Sequence, residues 1–148
     1  LYEASQAGVP ITLVVRGFCC LRPGVKGLSD NIRVVSVVGR FLEHSRVFHF
    51  AAGQDDPADG ARFISSADWM YRNLSNRVEV AVPVRDSQAR LRLQHIFDVM
   101  LADHRQAWDL NNDGTYTRRT IHPEADPASP AALGTFESLM LDAQNASP

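Results

Sequence analysis

The sequence predicts an α/β fold, and three observations carry that expectation. A continuous β-branched run, Ile11-Thr12-Leu13-Val14-Val15, has the character of a buried parallel strand. Four further strand-like runs follow over 32–39, 46–50, 62–65 and 77–84. A long amphipathic helix, 86–106, succeeds them, so strands and helices alternate along one chain. At 148 residues, 45% hydrophobic and 22% charged, the chain is one ordinary domain that needs no disulfide or metal staple.

The elements read in order as follows. Residues 1–7 form a helix end stopped by Gly8 and Pro10. The strand 11–16 ends on Arg16 and enters the Gly- and Pro-rich stretch GFCCLRPGVKGLSDN, which must be loop. IRVVSVVG (32–39) and RVFHF (46–50) are the next strands, joined by RFLEHS (40–45). AAGQDDPADGA (51–61) is a turn-rich, exposed excursion. RFIS (62–65) returns as a strand, 66–74 forms a tight turn or short helix, and RVEVAVPV (77–84) alternates as a strand should. Asp86 or Ser87 caps the helix 86–106, whose apolar stripe is Leu91, Ile96, Val99 and Met100, flanked by Leu93 and Phe97. AWDLNNDGTYTR (107–118) is a hairpin about Asn112-Asp113-Gly114. Residues 122–130 are a Pro-rich linker and 131–144 a final amphipathic helix.

Charge and cysteine usage bound the function. The net charge is −2, which exerts no global pull toward nucleic acid or anionic membrane. It is unevenly spread, because Arg16, Arg22, Lys26, Arg33, Arg40 and Arg46 face only Asp30 and Glu43 within 16–46. Arginine supplies almost all the positive charge, through base composition or through anion recognition, since guanidinium grips phosphate oxygens with two donors. Cys19 and Cys20, the only cysteines, offer neither a disulfide framework nor a metal spacing. No apolar run reaches transmembrane length and no signal peptide is visible. The absent initiator Met and the opening LYEASQAGVP read as a fragment of a longer protein.

Several motifs carry candidate chemistry. Asp109, Asn111, Asp113 and Gly114 match the start of a calcium loop, but Thr120 stands where the bidentate Glu belongs, so a hairpin turn is the better account. Arg16, directly after a strand and before flexible backbone, suits either an anionic ligand or a structural ion pair. RFLEHSRVFHF (40–50) places Glu43, His44, Ser45 and Arg46 inside an apolar stretch. On a strand His44 and Arg46 share one face. A phosphoryl group between them would reconcile imidazole and guanidinium, with His44 as nucleophile, general acid or hydrogen-bond donor. The alternative is a strand-end histidine satisfied by Glu43.

The pattern His44-Ser45-Arg46, then Ser65-Ser66-Ala67-Asp68, resembles the H-x-(K/R)…(G/S)-S-x-(N/D) half-site of the phospholipase D fold, in which two halves meet and two histidines face one phosphorus. Arg46 stands where hydrolases carry Lys, Asp68 where they often carry Asn, and only one half-site is present. The run RGFCCLRPGVKGLSDNIRVVSVVGRFLEHSRVFHF, followed by SSADWMYRNLSNRVEV, resembles polyphosphate kinase, the long bacterial enzyme with a phosphohistidine intermediate. The likeness is continuous to about Val84, weaker over 107–116, and does not extend over 121–148.

That resemblance implies a phospholipase D-like mixed sheet flanked by helices, one half of a two-domain catalytic unit. It divides the chain into a C-terminal catalytic domain, 1–120, and a Pro-rich linker with a helix, 121–148. It implies part of an ATP:polyphosphate phosphotransferase that works reversibly, with the phosphorylated histidine in an upstream domain and the isolated fragment inactive. His44 would be the second active-site histidine, serving proton transfer or stabilisation of the phosphoryl group. Arg16, Arg77 and Arg46 would contact ATP or polyphosphate phosphates, and Arg22, Lys26 and Arg33 would line the polyanion path or simply form a solvated basic face. Expected partners are ATP or ADP, magnesium held by the upstream part, polyphosphate, the upstream domains and further copies of the subunit, with no nucleic acid. A cytoplasmic location follows, with peripheral membrane association compatible. Two other readings stand beside this one: a phosphodiesterase half-site active as a dimer, and a non-catalytic polyanion-binding module.

Overall fold

The computed structural model describes residues 1–17, 19–56 and 59–146, so Phe18 in the first loop, Pro57 and Ala58 of the turn-rich excursion, and Ser147–Pro148 lie outside the described residues. Along the chain run α1 (Tyr2–Gln6), β1 (Ile11–Val14), β2 (Ile32–Val37), β3 (Val47–Phe50), β4 (Ala61–Ser65) and α2 (Tyr71–Asn76). Then follow β5 (Ala81–Pro83), α3 (Ser87–Ala102), β6 (Ala107–Leu110), β7 (Tyr116–Arg118), α4 (Pro130–Leu133) and α5 (Thr135–Asn145). Two compact units divide them: Leu1–Glu43 with Asp98–Pro148, and His44–Phe97.

The first unit is built on a mixed four-stranded sheet in the order β1-β2-β6-β7. β1 runs parallel to β2, with Ile11 opposite Ile32 and Val14 opposite Val35. β2–β6 and β6–β7 are antiparallel. The apolar run of β2 is explained by its central place, for both its faces are covered. On one face Val35 and Val37 pack with Ala107 and Phe136, joined by Val14 and Leu101. On the other, Ile32 and Val34 pack with Leu110, beneath Tyr2, Leu13, Leu21 and Tyr116. Each fully buried Val or Ile contributes about 1.5–3 kcal/mol of transfer free energy. β1 is at the sheet edge and therefore only half-buried, less enclosed than its β-branched run predicts.

Two polar devices close this unit. The Asn111–Thr115 turn forms the expected hairpin. Asp113 Oδ1 accepts from Thr115 N at 2.9 Å and Thr115 Oγ1 at 2.6 Å, and Gly114 takes φ +91°. Asp103, wholly buried, accepts from the backbone N of Arg105, Gln106 and Thr135 and from Thr135 Oγ1, between 2.7 and 2.8 Å. It thereby anchors the first turn of α5. The closing helix, expected unbroken over 131–144, is interrupted at Gly134, whose φ of +82° ends α4 and starts α5. Phe136 then reaches the core, and makes an edge-to-face contact with Phe41 at 5.8 Å.

The second unit holds an antiparallel sheet in the order β3-β4-β5, with Phe48 opposite Phe63 and Phe63 opposite Pro83. The strand expected over 77–84 is reduced to Ala81–Pro83, since 77–80 departs to serve the site, although Val84 N beyond Pro83 still donates to the Arg62 carbonyl at 2.8 Å. Arg62 of β4 is 1% exposed, and it donates to the Arg90 carbonyl at 3.4 Å and to Gln94 Oε1. Asp86 caps α3 through Ala89 N at 2.8 Å. The helix ends at Ala102, short of the expected 106, because Asp103 leaves it to bind α5. Val99 and Met100 are buried as its stripe predicts, while Leu91 is exposed.

Candidate functional site

In the second unit, the segment before β3 and the turn after β4 meet through side chains. Arg46 Nε donates to Asp68 Oδ1 at 2.8 Å and Arg46 Nη2 to Asp68 Oδ2 at 3.3 Å, a two-pronged pair. Arg46 Nη1 also donates to the His44 carbonyl at 3.0 Å. The Asp68 hydrogen bond, reinforced by the Asp68 and Glu79 charges, holds the Arg46 guanidinium above its ordinary pKa. His44 and Arg46 do not share a strand face. Residues 42–46 are irregular and β3 begins at Val47, although Ser65 N still donates to the Arg46 carbonyl at 2.9 Å. The polar quartet explains that departure, because Arg46 spends its donors on Asp68 and on backbone. The His44 side chain is exposed, with its backbone carbonyl tied by Arg46.

Both serines of the motif are fixed from below. Ser65 Oγ donates to the Val80 carbonyl at 3.0 Å and accepts from Ala67 N at 3.0 Å. Ser66 Oγ donates to Glu79 Oε2 and accepts from Val80 N at 3.1 Å. Glu79 also accepts from Asn73 Nδ2 at 2.7 Å, and Asn73 is buried. Ser66 first, then Asn73, then the Arg77 and Arg46 charges hold the Glu79 carboxylate below its ordinary pKa. Glu79 was not expected from the sequence. Its only signal was a carboxylate within the otherwise apolar run Val78–Val82. Arg77 is exposed at the end of α2, and its charge acts on Glu79.

Arg16 lies in the first unit, just past the carboxyl end of β1, and donates to the Glu43 carbonyl. The parallel strand ends of β1 and β2 lie side by side there, the position where open α/β sheets gather ligands. Of the basic residues expected along a polyanion path, Arg22 donates to the Asn112 carbonyl at 3.0 Å and Arg33 approaches Asp109 at 3.5 Å. Two of the three candidates therefore already have partners within the fold. Among the described residues no group of three or more His, Cys, Asp or Glu could hold a metal ion. Among them, too, no helix is long and apolar enough to cross a membrane.

An α/β unit in which H-x-R and S-S-x-D meet through the Arg46–Asp68 pair has the arrangement expected of a phospholipase D-like half-site. The family model described as polyphosphate kinase C-terminal domain 2 matches residues 1–129. The polyphosphate kinase of Synechocystis sp. is 55% identical over 132 residues, covering 88% of this chain and 18% of that protein. That of Thermosynechococcus vestitus is 53% identical over 140 residues, covering 95% and 18%. The crystal structure of polyphosphate kinase from Porphyromonas gingivalis superposes with a TM-score of 0.82 at 36% identity, covering 99% of this chain and 22% of that one. The chain belongs to the polyphosphate kinase C-terminal domain 2 family. It spans about a fifth of the length of these relatives.

Proposed function

We propose that this chain is the part of an ATP:polyphosphate phosphotransferase that supplies the second active-site histidine, His44. In this reading the phosphorylated histidine belongs to an upstream domain, and His44 faces it across the transferring phosphoryl group as proton carrier or hydrogen-bond donor. Arg16 and Arg77 contact nucleotide or polyphosphate oxygens. Magnesium belongs to the upstream part of the site. Residues 1–120 carry the catalytic domain, and 121–148 form the linker and closing helix, whose Phe136 fills the first unit's core.

The observation that carries this reading is the Arg46–Asp68 pair at 2.8 Å, which joins the two halves of the motif and ties the His44 backbone. Arg46, expected as a phosphate ligand, is engaged by Asp68, and we assign it the positioning of His44 and of incoming phosphate charge. The test uses an enzyme of full family length containing this domain. His44→Ala abolishes ATP-dependent polyphosphate synthesis while thermal melting stays at the wild-type value. Wild-type synthesis rates in that variant would sink the proposal. Hydrolysis of bis-(p-nitrophenyl) phosphate at enzymatic rates would favour the phosphodiesterase reading instead.

A further inference from the structure

Half of an antiparallel sheet commonly faces water and carries polar side chains. The second unit breaks that expectation. Arg62 of β4 turns toward α3, where it meets the Arg90 carbonyl and Gln94, so its neighbour Phe63 points to the opposite face. On that face Phe63 lies opposite both Phe48 and Pro83. Phe50 meets Phe63 edge-to-face at 6.3 Å, and Trp69 stacks on Phe48 at 5.6 Å. Phe50 with Phe63 and Phe48 with Trp69 thus make two ring pairs, set side by side in one row where Phe48 lies opposite Phe63 across the strands. Its two ends remain open, Phe50 at 51% and Trp69 at 54% exposure. A connected apolar surface of this kind marks an interaction site, and aromatic rings are enriched at such sites.

The chemistry of the row selects its occupant. No charged side chain belongs to it. The turn after Phe50 carries Asp55, Asp56 and Asp59, which repel polyphosphate, nucleotides and nucleic acid alike. An apolar protein surface is what fits. The family description places this domain at the C-terminal side of a longer protein, and the chain covers 22% of the solved relative. We propose that the Phe50–Phe63–Phe48–Trp69 row docks against an apolar surface of the polypeptide upstream of Leu1. The proposal rests on the reading of this chain as the C-terminal part of a polyphosphate kinase. Trp69 directly follows Asp68, so the docked row would fix the turn that holds Arg46.

The test is photocrosslinking in the full-length enzyme, with p-benzoylphenylalanine replacing Phe50 in one variant and Trp69 in another. Aromatic for aromatic at half-exposed positions preserves the fold. Equal mixtures of isotopically light and heavy subunits separate contacts within a chain from contacts between chains. The expected result is a crosslinked peptide upstream of Leu1, of matched isotope label, from both positions. Mixed-label crosslinks would show that a second copy covers the row and overturn the proposal. Crosslinks confined to residues 1–148, or none above an irradiated solvent-exposed control, would overturn it too. Polyphosphate synthesis is assayed on the unmodified enzyme in parallel. Activity without the predicted crosslink defeats the docking alone, whereas absent activity defeats the functional reading.

Discussion

Replacing Arg119 by Met tests how the first unit is held together. Its side chain is only 6% exposed and donates four hydrogen bonds. Two go to Asp109, from Nε and Nη2, each at 2.7 Å. The other two go from Nη1 to the Leu101 carbonyl at 2.8 Å and the Asp103 carbonyl at 3.1 Å. It therefore caps the end of α3 while clamping β6. A hydrogen bond to a charged group contributes about 1.5–3 kcal/mol net. The Asp109 side chain is 37% exposed, so water and salt reclaim part of that pair, and about 1.5 kcal/mol is the proper share. Stranding the two helix-end carbonyls adds about 1.5 kcal/mol more. The total is about 3 kcal/mol, a fall in Tm of roughly 6–12 °C for a chain of this size. Circular dichroism melting of wild type, Arg119→Met and Arg119→Lys reads it. Lysine recovers only a fraction, since an ammonium cannot span four acceptors in fork geometry. A drop below about 3 °C for Arg119→Met, the equivalent of about 1 kcal/mol, would refute this reasoning.

Two further outcomes follow from the same unit. The Arg119 hydrogen bond holds the Asp109 carboxyl below its ordinary pKa, helped by the Arg119 and Arg33 charges. A carboxyl depressed on folding stabilises the protein above its unfolded pKa, so this share is present at neutral pH. It is lost as pH falls below about 4 and through the depressed value; in Asp109→Asn that part of the acid limb should flatten, and an unchanged limb in urea titrations would contradict it. Gly39→Ala would drive a Cβ into the Phe136 ring and to 2.7 Å from Gln106 Nε2. Such overpacking costs about 1–3 kcal/mol, and a chemical-denaturation midpoint equal to wild type would show that α5 moves aside freely.

Much of the site was legible because its chemistry is written in adjacent residues. His44-x-Arg46 and Ser65-Ser66-x-Asp68 are short patterns, and the turn after β4 brings them together within one unit. What the pattern could not reveal was where donors are spent. Arg46 reads from the sequence as a phosphate ligand, and nothing there says that Asp68 lies 2.8 Å away and takes two of its donors. Glu79 escaped notice for a related reason, since alternation in 77–84 suggested a strand and concealed a carboxylate serving Ser66 and Asn73. The core strand β2 was plain from its β-branched run, whereas the half-burial of β1 depends on sheet order, which has no local signature. The break at Gly134 was missed because the apolar periodicity of 131–144 continues through it, and only the buried Asp103 carboxylate shows why the chain turns there.

The division of the chain also constrains how it is made. Residues 44–97 are contiguous, so every strand pairing of the second unit becomes available once that stretch has emerged during synthesis. The first unit has no such independence, because β2 gains its inner neighbour only when β6 arrives far later and Val35 meets Asp109. Until then Val35 and Val37 lack Ala107 and Phe136, and the nascent chain must carry an open apolar strand past a unit already able to form. A premature stop before Ala107 would therefore leave the local sheet folded and the larger one unmade, and such a truncated product is expected to be held by chaperones or degraded.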